Sequence, residues 1–323
     1  MNSLKERPIL TDTYSTPAEF EPKSESVYVY GESDEFRSTH ISNFNLDADR
    51  TLIEIIDKDG SSITVGELEL QLRSSKSLSK LWSNIDRSRN VYIDITGMSH
   101  SSWSAILKSA IDEGFTVLVV YVEPSSYMLS NTSIQGQFYD LSEKIRGIYP
   151  LPGFANFNQE SSEFVLIPIL GFEGARFKYL MEQVQPNHRN IFPIVGLPGF
   201  RPWYIFESLE NNMDVLKGTR AWESMIYVPS DCPFSCYYKL DNIYNNHQGK
   251  QLKIAPIGTK PHALAAIMYY LNHPEVEIIY DHPVRKAGRT DGTSKLHVYH
   301  VSALVKAKPD RITSRTKRKN RNV

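Results

Sequence analysis

Apolar positions in this chain gather into short dense runs separated by polar turns, the rhythm of an α/β protein. Val91-Tyr-Ile-Asp-Ile95, Thr116-Val-Leu-Val-Val-Tyr121 and Phe164-Val-Leu-Ile-Pro-Ile-Leu170 are apolar at nearly every position. Leu252-Lys-Ile-Ala-Pro-Ile257 and Val276-Glu-Ile-Ile-Tyr280 complete the set. Such runs read as strands covered on both faces. Helical spacing links them, with Trp103, Ile106, Leu107, Ala110 and Ile111 after the first run and the segment to Leu271 after the fourth. Strand, helix, strand with short connections means parallel pairing through right-handed crossovers. Strands at 91–95, 117–121, 164–170, 252–257 and 276–280 are therefore expected to be central and largely parallel. Shorter strands are expected at 27–30, 51–56, 190–195, 225–228 and 297–301. Leu68, Leu72, Leu78, Leu81 and Trp82 fit an imperfect 3.6-residue period and predict a helix from Val65 to Asn84. Helices are also predicted to about Val184, over 203–217 and in part of 233–248. Pro168 cannot donate to a ladder, which places its strand at an edge or a bulge.

The punctuation between runs sets the domain plan. Residues 1–25 are polar and broken by Pro8, Pro17 and Pro22, the composition of a surface arm. Residues 26–125 form a first Rossmann-like unit. Residues 126–162, rich in Ser, Asn, Gln, Gly and Pro, read as a connection. A second Rossmann-like unit spans 163–305. Residues 306–323 carry eight Lys or Arg against Asp310 and almost no apolar side chain, so a disordered basic tail is expected there.

The two units resemble each other. Each opens with a strand ending in glycine, followed by an acidic turn and an arginine, at Gly31 to Arg37 and at Gly171 to Arg176. Each then has a strand ending in a small polar turn with histidine: Thr96-Gly-Met-Ser-His100 and Gly258-Thr-Lys-Pro-His262. A helix follows, and a strand ending in tyrosine with a proline three residues on: Tyr121 with Pro124, Tyr280 with Pro283. The fold expected is thus α/β, two open and mainly parallel sheets in tandem, packed with their strand ends facing one crevice.

Composition narrows the function classes. A net charge of −1 over 323 residues demands neither nucleic acid nor a membrane. Cys232 and Cys236 are too few for a disulfide framework or a four-cysteine zinc site and read as free thiols of a reducing, cytoplasmic compartment. No apolar run reaches membrane length, and the opening residues do not read as a signal peptide. Walker A, G-x-G-x-x-G, H-E-x-x-H and G-x-S-x-G patterns are absent. His297 and His300 lie on opposite strand faces by parity, a poor spacing for a shared metal. No metal and no cofactor is expected.

What chemistry the chain carries sits past strand ends, where open α/β sheets build ligand sites. Gly258 allows close backbone approach, Thr259 offers a hydroxyl, Lys260 a charge, and the first turn at Pro261 and His262 free N–H groups. Arg285, Lys286 and Arg289 around Gly288 can wrap a phosphate, or form a solvated basic hairpin. Thr96, Gly97 and His100 occupy the matching place in the first unit, with Gly171, Glu173 and Arg176 nearby in the second. Glu173 and Arg176 read equally as an ion pair. Asp94 reads either as a buried functional carboxylate or as a cap for its turn.

Ile257-Gly-Thr-Lys-Pro-His-Ala-Leu-Ala-Ala266 resembles the strand-to-helix motif of CRISPR-associated Rossmann-fold (CARF) sensor domains, and Ile93-Asp-Ile-Thr-Gly97 resembles it more faintly. The resemblance implies a pseudo-dimer binding a nucleotide or cyclic oligonucleotide across its interface, in antiviral defence. The chain carries no recognisable nuclease, protease or membrane effector, so the output would sit on a separate effector protein. Two rival functions are a nucleotide phosphodiester-cleaving or phosphoryl-transfer enzyme using Lys260 and a histidine, and an interaction subunit contacting nucleic acid through the tail.

Overall fold

The computed structural model describes residues 10–31, 33–44, 49–58, 60–128, 139, 141–155 and 163–305. The first half contains β1 (Thr11–Tyr14), β2 (Val27–Tyr30), β3 (Thr51–Glu54), β4 (Ile56–Asp57), β5 (Ser62–Val65), β6 (Leu68–Gln71), β7 (Asn90–Asp94), β8 (Thr116–Val122) and β9 (Ser126–Tyr127), with helices α1 (Ser75–Leu78) and α2 (His100–Asp112). The second contains β10 (Ser142–Ile145), β11 (Tyr149–Pro150), β12 (Phe164–Ile169), β13 (Ile194–Gly196), β14 (Ile226–Val228), β15 (Gln251–Pro256), β16 (Glu277–Tyr280), β17 (Pro283–Arg285), β18 (Thr290–Asp291) and β19 (Leu296–Tyr299), with helices α3 (Gly174–Val184), α4 (Tyr204–Thr219), α5 (Pro233–Asn246) and α6 (Lys260–Asn272).

Two six-stranded sheets carry the architecture, ordered β1-β19-β8-β7-β2-β3 and β11-β16-β15-β12-β13-β14. Pairing is parallel from β8 through β3 and from β16 through β14, and antiparallel only at β1, β19 and β11. The fold is therefore α/β with two mainly parallel sheets, and the five long runs are central strands as their pattern requires. Side chains alternate across each strand, and both faces are used. Val29, Ile93 and Val119 of the first sheet and Val165, Ile167 and Ile254 of the second share one core with helices α2, α5 and α6. Leu166, Ala255 and Ile279 face the other way, onto α3 and α4 through Phe177, Leu180, Ile205 and Leu216. The far side of the first sheet is closed by Phe20, Ile41 and Phe44.

Four expectations need correction. Val65–Asn84 is not one helix: it begins with the β5–β6 hairpin, and only the four-residue α1 and a 3₁₀ turn at Ser79–Trp82 follow. Leu68, Leu70 and Leu72 alternate with Glu67, Glu69 and Gln71, a period of two, and Gly66 supplies the turn with φ at +56°. Leu70 and Leu72 are buried. Second, Pro168 lies in a central strand. The bonds Phe192 N–H to Leu166 O and Leu170 N–H to Ile194 O show that its missing donor faces β13, where regular pairing is reduced to Ile169 with Ile194. One rung is lost at a place where the neighbouring strand is only beginning. Third, Thr11–Tyr14 is no loose arm. It is the edge strand of the first sheet, paired antiparallel with β19. Fourth, β19 belongs to the first sheet, beside β8, although it follows the whole second unit in sequence. The chain thus crosses back, and the boundary at 163 does not separate two independent pieces. The tail 306–323 lies outside the described residues, and none of the described helices is long and apolar enough to cross a membrane.

Candidate functional site

In both sheets the first parallel strand of the chain, β2 or β12, ends up central, with later strands added to either side. The strand order reverses there, between β2 and β7 and between β12 and β15, and the ends of the two reversals meet across one crevice. Backbones crowd at both. A Cβ on Gly97 would lie 1.7 Å from Gly31 O, and one on Gly258 would lie 2.6 Å from Leu170 O. These glycines let the strand ends close together.

The crevice encloses about 920 Å³ outside the atoms, its open mouth included. Of the residues expected at a site, His100, Gly171, Glu173, Arg176, Gly258, Thr259, Lys260, Arg285 and Arg289 line it. Thr96, Gly97, His262 and Lys286 do not. Thr96 is fully buried and its hydroxyl accepts from Val122 N–H. His262 is fully buried and bonds the Pro229 carbonyl at 2.8 Å. Lys286 is exposed, its backbone N–H given to Leu141. Asp94 is a turn cap, accepting from Thr96 N–H at 2.8 Å, and also accepts from the Tyr28 hydroxyl.

Lys260 is the largest departure. It is 6 % exposed, and its ammonium donates to three carbonyls of the first unit: Ile95, Thr96 and, at 3.0 Å, Met98. An ammonium has three donors, so all are committed. Burial and the guanidiniums of Arg285 and Arg37 push its pKa well below the ordinary lysine value, against the pull of the Glu35 carboxylate. Lys260 is therefore a clasp between the sheets. The first turn of α6 is likewise satisfied from within, because Thr259 caps His262 N–H and Pro261 has no donor.

The arginines divide by partner. Arg37 bonds Glu35 at 2.7 Å, and Arg289 reaches the other oxygen of the same carboxylate at 2.8 Å. Thr290 donates to Glu35 as well. Burial alone would raise this carboxyl, yet Arg37 and Arg289 hold it far below the ordinary carboxylate range. Arg176 is bidentate to Asp281 at 2.7 Å and touches Glu173 at 3.5 Å. Among the described residues no carboxylate is bonded to Arg285. Its donors go to the backbone carbonyls of Gly97 at 3.4 Å and Met98 at 2.9 Å. Burial and repulsion from Arg289 push it down to about 10. Beside it His100, 7 % exposed, stacks on Tyr280 with ring centres 4.9 Å apart, and neither ring nitrogen has a hydrogen-bond partner among the described residues. Burial first, then Arg285 and Lys260, keep His100 neutral at physiological pH.

The other wall is aromatic. Phe172 meets Tyr127 at 5.3 Å and Tyr204 at 5.0 Å, and Tyr121 meets Phe200 at 6.0 Å. Tyr139 stacks on Phe172 from behind. Sequence reasoning noted Arg37, Tyr121 and Tyr280 only as repeat markers. It missed Glu35, and it missed Tyr127, Phe172, Phe200 and Tyr204, which lie in connections, in the two-residue β9 or at the start of α4, where the only signal is aromatic content.

A second cluster lies elsewhere. His297 bonds Glu123 at 2.8 Å and Thr13 at 3.0 Å, with Asp231 close by. Both imidazole nitrogens are engaged, which marks a paired structural histidine.

No family model and no curated protein matches this chain. Its function has to be read from the crevice.

Proposed function

We propose that the chain is a nucleotide- or oligonucleotide-binding regulatory protein. Two Rossmann-like units in tandem form one ligand crevice, and the signal passes to a separate effector. The observation that carries the reading is a guanidinium with no carboxylate bonded to it among the described residues, Arg285, beside His100, whose ring nitrogens have no partner among them either, in a cleft walled by aromatic rings. A half-buried cation lacking a carboxylate is stabilised by an anion from outside, and a guanidinium favours phosphate. Neutral His100 can donate one further hydrogen bond to it, and the rings suit the faces of bases. The order β14-β13-β12-β15-β16 supports the Rossmann-like assignment of the second unit, and the glycines at both reversals support the repeat. The resemblance to CARF sensors makes antiviral defence the setting. The enzymatic alternative loses its principal cation, since Lys260 is committed to backbone.

The test is titration calorimetry with mononucleotides and with linear and cyclic oligonucleotides, accompanied by thermal melting. Binding should raise the melting temperature, as any native-state ligand does. Arg285→Ala should weaken binding roughly 10- to 100-fold, the loss of a charge-assisted hydrogen bond. Absence of heat and of any melting shift across the panel would overturn the reading.

A further inference from the structure

The crevice is not symmetric, although the repeat that builds it is. Counted from the matched tyrosines Tyr121 and Tyr280, the place of Arg285 is taken in the first unit by Ser126. By the helix caps Ser99 and Thr259 the counterpart of Lys260 is His100, yet Lys260 is spent on carbonyls of the other unit while the ring nitrogens of His100 have no partner among the described residues. Of the two matched histidines, His100 faces the crevice, while His262 is turned into the core and held by Pro229. Arg37 and Arg176 are true counterparts, but both are neutralised by carboxylates. One corner is therefore present in which a cation, Arg285, has no carboxylate bonded to it among the described residues, with neutral His100 beside it. The aromatic wall is equally one-sided: Phe172, Phe200 and Tyr204 come from the second unit and Tyr127 from the connection, whereas the first unit gives Tyr121.

We infer that the crevice takes a ligand with one phosphate and one base, a nucleoside monophosphate, with phosphate against Arg285 and His100 and base against the wall of Phe172, Tyr204 and Tyr127. This rests on the proposed nucleotide-binding function and names its ligand class. A ring of identical nucleotides would present equivalent phosphates to both units, and the first unit has no second Arg285 to receive one. Phosphate alone would use the corner and leave the rings idle. Nucleoside alone would leave the guanidinium unmatched.

The experiment titrates the four nucleoside 5′-monophosphates, the matching nucleosides, inorganic phosphate, and cyclic tri- and tetranucleotides into the full chain. The best monophosphate should bind at least about tenfold more tightly than its nucleoside, than phosphate and than either ring, one lost charge-assisted bond being worth about that factor. Arg285→Lys should weaken the monophosphate and leave the nucleoside unchanged. Phe172→Leu should narrow the gap between monophosphate and inorganic phosphate. His100→Phe puts a slightly larger apolar ring on the Tyr280 stack and removes both ring nitrogens, so it should fold as the wild type and lose monophosphate affinity. A ring that binds more tightly than every monophosphate overturns the inference and leaves the nucleotide reading standing. Phosphate that binds as tightly as the monophosphates overturns it too. Failure of all nucleotides to bind removes both.

Discussion

The turns Thr96–His100 and Gly258–His262 occupy the same place in their sheets, each between a strand end and a helix of thirteen residues. Each helix is capped by the hydroxyl before it, Ser99 or Thr259. From there they part. The first turn gives its carbonyls inward and leaves its histidine facing the crevice; the second sends a lysine across to those carbonyls and buries its histidine. One turn is the socket and the other the plug. A duplicated motif can thus keep its backbone while its copies exchange chemistry, and the open copy here is the one with the plainer sequence.

Lys260→Met gives this comparison its severest trial. The thioether fills much of the same space but leaves the Ile95 and Thr96 carbonyls without their partner, and Met98 with Arg285 alone. Each buried acceptor so orphaned costs about 1–3 kcal/mol, so urea unfolding should register a loss of at least about 2 kcal/mol. A loss below about 1 kcal/mol would show that the lysine holds nothing together.

Acid should act through the buried histidine of the second turn. The pKa of His262 is lowered by burial from 6.5 to about 4, so the unfolded chain binds its proton first. Its contribution is fully present above pH 6.5 and drains away as the pH falls towards 4, to a total of about 3 kcal/mol. His100 and His282 are shifted in the same direction and add to the slope. Unfolding measured between pH 7.5 and 4.5 should be shallower for His262→Gln, which keeps a donor for Pro229. Parallel curves for the two proteins would place the acid sensitivity elsewhere.

The smallest effect is expected at Arg285. Its bond to Gly97 is long, Met98 retains Lys260, and removing an unmatched cation relieves repulsion on Arg289. Stability of Arg285→Met should stay within about 1 kcal/mol of wild type in the same urea assay, even as nucleotide affinity falls. A loss of several kcal/mol would make Arg285 a second clasp and equalise the two cations that the comparison separates.

Much of this was legible in the chain, for a physical reason. Strands buried on both faces, such as β7, β8 and β15, leave unbroken apolar runs, and the glycines at their ends are required by backbone contact. The β5–β6 hairpin was visible too, in the alternation around Leu70, but leucines at 68, 72, 78 and 81 imitate a helical period. Partner choice left no trace. Nothing local tells that Lys260 meets Ile95 and Thr96 while Arg285 bonds no carboxylate among the described residues, because those contacts join residues far apart in sequence. The same holds for β19, whose pattern fits either sheet. The aromatic wall escaped because Tyr127 stands in a two-residue strand and Phe172 in a connection, where periodicity says nothing.

The return of β19 also bears on how the protein is made. On a ribosome β8 emerges early, while Leu296–Tyr299, which cover its edge, are among the last described residues to appear. Until then the nascent first sheet carries a bare valine-rich strand, the template on which stray chains pair. A product terminated or cleaved between the halves keeps that edge for good. Fragments of the first half are accordingly the species that should aggregate in a cell, and a holding chaperone would have its longest task there.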